Sequence, residues 1–190
     1  ADNLTAHLYG IDQKLGTLAG NSRALIVPAI AFNLEHGTAP ELYNTAGTNA
    51  SIDTLAYDDA YGEIAVIPSI TIPSDLNNAG TITFRLIGWP KTAAADKVIQ
   101  MRVLDLQLAS GTGDVDTTMS TAKDSGNLTI DSTQDRPVIY SWTETVSNLG
   151  WVAGRRLSLG LSRVAPASGT NLTGDFLVEV FEIEFPTMIS

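Results

Sequence analysis

Two histidines, His7 and His36, are the only imidazoles in the chain, and there is no cysteine. Disulfides, thiolate catalysis and thiolate–metal sites are excluded together. Neither histidine has a metal-ligating residue two or four positions on, so no zinc-type spacing exists. No Gly-x-Ser-x-Gly elbow is present to present a serine nucleophile. Asp114 and Asp116, in SGTGDVDTT, imitate part of a calcium loop, but position twelve of that frame is Ser125 where a bidentate glutamate is required. The pair therefore reads as a solvated hairpin tip, as do Asp58–Asp59 and the Asp131–Asp135 stretch. Glu182 and Glu184 lie two apart on one strand face, with nothing basic alternating beside them. A glycosidase needs two carboxylates across a cleft, and these two share a face. Three tryptophans remain as possible sugar platforms. Trp142 is in phase with core residues, whereas Trp89, beside Pro90, and Trp151, in a glycine-bounded turn, are the candidates for carbohydrate stacking. The expectation is a protein with no catalytic residues, no cofactor and no metal.

Composition narrows the partners. The formal charge is −10 with a pI near 4.4, which argues against nucleic acid, since phosphate binding needs lysine and arginine. Charged residues make up only 17%, and Thr, Ser, Asn and Gly fill the shortfall, while 44% hydrophobic residues suffice for a core. No apolar run approaches the ~20 residues of a membrane span, and residues 1–4 lack a signal peptide's basic and apolar regions. The expectation is a soluble protein made in the cytoplasm, with no membrane partner.

These residues must be positioned by something, and the periodicity says by what. Leu4, Leu8, Ile11, Leu15 and Leu18 recur at steps of four and three, one face of a helix. Asp2 or Asn3 is a possible N-cap and Gly16 a possible stop. Gly10 costs about 1 kcal/mol relative to alanine, so residues 1–20 read either as a short helix or as an arm. After Gly20 the period becomes two. RALIVPAIAF (23–32) reads as an edge or bulged strand because of Pro28. Residues 33–61 read as a long polar loop, of a length that is either functional or partly ordered against a neighbour. Seven more strand candidates follow. They are EIAVIPSITI (Ile64, Val66, Ile70 and Ile72 on one face), TITFRLIGW, KVIQMRVLDLQL (with a phase change after Val103), GNLTI, PVIYSWTETV, RRLSLGLSRV and GDFLVEVFEIEF. Eight short strands with polar turns between them predict an all-β fold, an eight-stranded antiparallel jelly-roll β-sandwich over 21–190. The helix or arm, 1–20, precedes it.

Four segments, in this order, carry a resemblance: LIVPAIAF at 25–32, LAYDDAYGEIAV at 55–66, IPSDLNNAGTITFRLIGW at 72–89, and GRRLSLGLSRVAPASGTNLTGDFLVEVFEIEF at 154–185. Together they resemble the jelly-roll virion proteins of tailed bacteriophages, a group that includes capsid decoration (cement) proteins, head fibres and tail-appendage domains. The chain departs from the family pattern at Thr170-Asn171-Leu172, where the family has Asp-Thr-Leu, and in lacking a tryptophan on the first strand. The resemblance implies a virion component on the outer capsid surface, commonly a homotrimer, that bridges and stabilises major capsid protein subunits. Nothing catalytic transfers with it. The leucine stripe Leu4, Leu8, Ile11, Leu15 and Leu18 would supply the capsid-binding contact. The alternative is a head or tail fibre module that binds host surface carbohydrate, through Trp89 and Trp151.

Overall fold

The computed structural model describes residues 22–34, 38–46, 51–108 and 118–188. The expected helix or arm with its leucine stripe, both histidines, Asp114 and Asp116 lie outside them. Among the described residues there are eleven strands: β1 (Ser22–Pro28), β2 (Glu41–Ala46), β3 (Ser51–Tyr57), β4 (Ile64–Thr71), β5 (Thr81–Pro90), β6 (Val98–Leu108), β7 (Ser120–Asp124), β8 (Leu128–Thr129), β9 (Val138–Thr145), β10 (Arg156–Val164) and β11 (Phe176–Pro186). A 3-10 turn, Ala29–Ala31, follows β1, and a single helical turn, α1 (Val146–Leu149), follows β9.

One sheet, A, runs β2-β3-β11-β5-β9, with β1 also on β11. The other, B, runs β4-β10-β6-β7, with β8 also on β6. β1 and β3 pair with successive halves of β11, and β8 and β7 with successive parts of β6. Counted as eight units, the pairing is nested. The first unit pairs with the last, β4 with β10, β5 with β9, and β6 with β7 and β8. All these pairs are antiparallel. The chain is thus a long hairpin rolled over on itself, which is the jelly-roll sandwich expected from the strand count.

The core lies between the sheets and is aromatic along its length. Phe84 stacks on Trp142 and Phe181 at centroid distances of 5.7 and 6.2 Å, and Tyr140 meets Phe176 edge-on at 5.8 Å. Alternation put these side chains there: Ile82, Phe84 and Leu86 of β5 point inward, as do Leu157, Leu159 and Leu161 of β10 and Phe181, Ile183 and Phe185 of β11.

Four expectations need correction. The polar loop 33–61 contains β2 and β3, an antiparallel pair that extends sheet A. β7 was also not foreseen, so the count rises from eight to eleven without changing the roll. In β4 the inward residues are Ala65 and Ile67, then Ile72. The pairing with β10 slips between Ile67 and Ile70, around Pro68, so Ile64 and Val66 face outward. In β6 there is no phase change. Its register with β10 is unbroken from Gln100 to Leu108, and the bulge falls instead opposite, in β7. The inward position after Val103 is Asp105, a buried carboxylate that broke the apolar pattern without breaking the strand.

Candidate interaction surface

The two candidate sugar platforms are inside the protein. Trp151 is 2% exposed. Thr145 caps α1 by accepting from the Asn148 N–H, and Gly150, in the left-handed region at φ 64°, ends it. The chain then turns Trp151 back into the core, where its ring is edge-on to Phe84 at 6.1 Å. Its indole Nε1 donates to Asp105 Oδ2 at 2.7 Å, and Ser120 Oγ donates to Asp105 Oδ1 at 2.9 Å.

Trp89 is 1% exposed and belongs to a second, small apolar cluster with Ala56 and Leu177, packed against Tyr43, Ile52 and Ile87. Gly88 precedes it because β5 and β11 touch there. A Cβ on Gly88 would lie 2.6 Å from the Leu177 carbonyl and 2.8 Å from the Phe176 ring. Neither tryptophan offers a face to a sugar, so the stacking assignment to Trp89 and Trp151 is withdrawn. A neighbouring proline or glycine does not expose either ring: Trp89 is covered by its cluster, and the Gly150 turn sends Trp151 inward. Tyr43 and Tyr61 are half-buried, and each has a cation near its ring: Lys91 Nζ at 4.3 Å and the Arg163 guanidinium at 6.0 Å.

The carboxylates are also accounted for. Glu182 and Glu184 both bind Arg85, which enters from β5, Glu182 at 2.5 Å. The basic partner was invisible in the sequence because it sits across the sheet, directly opposite Glu182 in register. Asp59 Oδ2 accepts from the Gly174 N–H in the loop before β11, and Asp58 ties down its own turn, its Oδ1 accepting from the Ala60 N–H. Asp131 does the same with the Thr133 N–H. Beneath the 58–63 turn, Arg163 is 1% exposed. Its guanidinium donates to the carbonyls of Tyr57 (3.1 Å), Gly174 (2.7 Å) and Leu172, and to Asn171 Oδ1 (3.3 Å). Burial pulls its pKa down, and the nearby Tyr61, Asp59, Asp58 and Asp175 oppose that. Among the described residues no group of three His, Asp or Glu side chains is placed to hold a metal.

Two surface features remain. The first is a cleft of about 450 Å³ beside β6, β7 and α1, lined by Asp105, Gln107, Thr118, Ser120, Thr121 and Asn148 among others. The second is a row of apolar side chains across the outer face of sheet A. Pro28, Val180, Ile87 and Ile139 stand opposite one another on β1, β11, β5 and β9. Three strand spacings make this row about 14 Å long. Ile139 at its end is 66% exposed, and Ile26, nearby on β1, is 61% exposed. The Arg85–Glu182–Glu184 cluster borders the row in the next register positions.

No protein-family model matches the chain, and no curated protein matches it. Solved structures similar to it include a xylan-binding module, CBM15, with 12% identity and TM-score 0.47, covering 89% of this chain and 100% of that one. A family 35 carbohydrate binding module from Clostridium thermocellum has 11% identity and TM-score 0.46, covering 85% and 97%. Infectious bursal disease virus, Gx strain, has 9% identity and TM-score 0.40, covering 88% of this chain and 32% of that one. At these values the jelly-roll assignment rests on the nested strand pairing.

Proposed function

We propose that the protein is a non-enzymatic virion structural component, a capsid decoration protein on the outer capsid surface that bridges major capsid protein subunits. The observation that carries this reading is the apolar row on sheet A. A row with exposed ends, Pro28 and Ile139, and half-buried members between, Val180 and Ile87, beside a charge cluster is the composition of a protein contact, since contiguous apolar surface marks association sites. The leucine stripe Leu4, Leu8, Ile11, Leu15 and Leu18 is the proposed second grip. The test uses particles stripped of the protein and rebound with three forms: the full chain, a form lacking residues 1–20, and Ile26→Lys. The full chain restores occupancy at hundreds of copies per particle, and the two altered forms bind at reduced occupancy. Normal occupancy by both altered forms overturns the reading.

The cleft beside α1 favours a second reading, a fibre or appendage module for host surface carbohydrate. Its amides and hydroxyls suit a polyhydroxylated ligand, without any stacking ring. Binding on a glycan array that is lost in Asn148→Ala supports it, and a blank array removes it.

A further inference from the structure

We infer that the edge of β9, which pairs with no described strand but β5, is a self-association edge, on which β9 of a second copy pairs antiparallel to join two A sheets into one. Every open sheet has edges, and an edge strand is a row of unpaired backbone donors and acceptors that proteins normally guard.

The other edges here are guarded. β1 carries Arg23, ion-paired with Asp75 at 2.8 Å, and stops at Pro28. β2 opens on Glu41 and has Lys91 lying over its Tyr43. β4 is interrupted at Pro68 and its bulge, and is partly covered by Asn33, which exchanges both backbone hydrogen bonds with Val66. β7 is five residues long, bulged, and holds Lys123 and Asp124 in ion pairs.

β9 is guarded only at its end, where Glu144 meets Lys123. Its eight residues pair with β5 in unbroken register, Val138 with Gly88 through Thr145 with Thr81. It contains no proline, lysine or bulge, and its β-branched and aromatic content favours extended pairing. At about 3.4 Å per residue, the open edge is roughly 27 Å long. Residues 138–143 carry no charge, and Glu144 is already held by Lys123 at 2.8 Å.

The choice of a second copy follows from self-complementarity, and its place from charge: two chains of −10 each repel, so a contact between copies is least opposed at an uncharged edge. The β9 edge is such a place, and an antiparallel strand set against itself is the isologous contact of a two-fold dimer. The apolar row of sheet A also ends at this edge, on Ile139, so pairing brings the two rows side by side.

This inference does not rest on the decoration reading: a dimer with no affinity for capsids leaves it standing. Sedimentation equilibrium of the intact protein measures the mass, and amide hydrogen exchange locates the contact. A dimer is expected, with exchange at alternate β9 positions, those facing away from β5, slowing as protein concentration rises. Ile139→Lys and, separately, Ser141→Lys convert it to a monomer with an unchanged circular dichroism spectrum. Both side chains are exposed, so neither substitution disturbs the core. A monomer whose β9 amides exchange alike at all concentrations overturns the inference. So does a trimer with unprotected β9 amides, or a dimer unaffected by both lysines.

Discussion

Trp151 and Asp105 are joined by an indole-to-carboxylate hydrogen bond of 2.7 Å that ties the turn after α1 to the middle of sheet B. Both groups are buried, so each is the other's replacement for water. Asp105→Ala leaves the indole N–H without an acceptor and is expected to cost about 1–3 kcal/mol. Asp105→Asn retains a carbonyl acceptor and should keep most of the stability. Urea unfolding reads both, as a lowered midpoint at unchanged slope. Equal midpoints for Asp105→Ala and the parent would show that the bond contributes nothing.

Arg163 holds three backbone carbonyls and one amide oxygen at a single buried point. Arg163→Met strands those oxygens, with an expected loss on the order of 3 kcal/mol. Arg163→Lys should recover only part of it, because an ammonium cannot reproduce the planar fork of donors. The 58–63 and 171–174 segments would loosen first. Limited proteolysis of the Met variant checks this by the position of the first cut.

Glu144 and Lys123 link the edge strands of the two sheets. Lys123 first, then the Thr145 N–H and the Asn148 amide, lower the Glu144 pKa from 4.5 to about 2. A carboxylate whose pKa is depressed on folding stabilises the protein above its unfolded value and loses that contribution as pH falls. The window is therefore pH 4.5 down to about 2. The side chains are partly exposed, so the contribution is expected within the ~0.2–1 kcal/mol of surface pairs. Comparing parent and Glu144→Gln in thermal melts at pH 7 and pH 2 tests the sign: the difference should shrink toward zero at the lower pH.

The fold was legible wherever one face of a strand is apolar and the other polar. β5 up to Leu86 and β9 alternate cleanly because each is covered on one side only, and β10 alternates because its second buried face carries Gly160 and Ser162. β2 and β3 were hidden because their outer residues, Asn44, Asp53 and Ser51, hydrogen-bond one another across the hairpin and look like loop chemistry. β7 was hidden because STAKD has no apolar period at all, its place being set by pairing with β6. The β6 phase was misjudged at one residue. A buried aspartate is unreadable until its partner, 46 positions away, is known. The same holds for the tryptophans, whose burial depends on strands distant in sequence. The apolar row of sheet A was not legible either. Its four members come from four strands, and only the register sets them in line.

Nested pairing also fixes a schedule. β11 is flanked by β1, β3 and β5, so it lies at the centre of sheet A although it follows every other described strand in the chain. Until β11 is made, β1 has no partner strand and β3 and β5 have only β2 and β9, so sheet A stays in pieces. Sheet A is therefore completed by its most sequence-distant pairing, β1 with β11, and closes late.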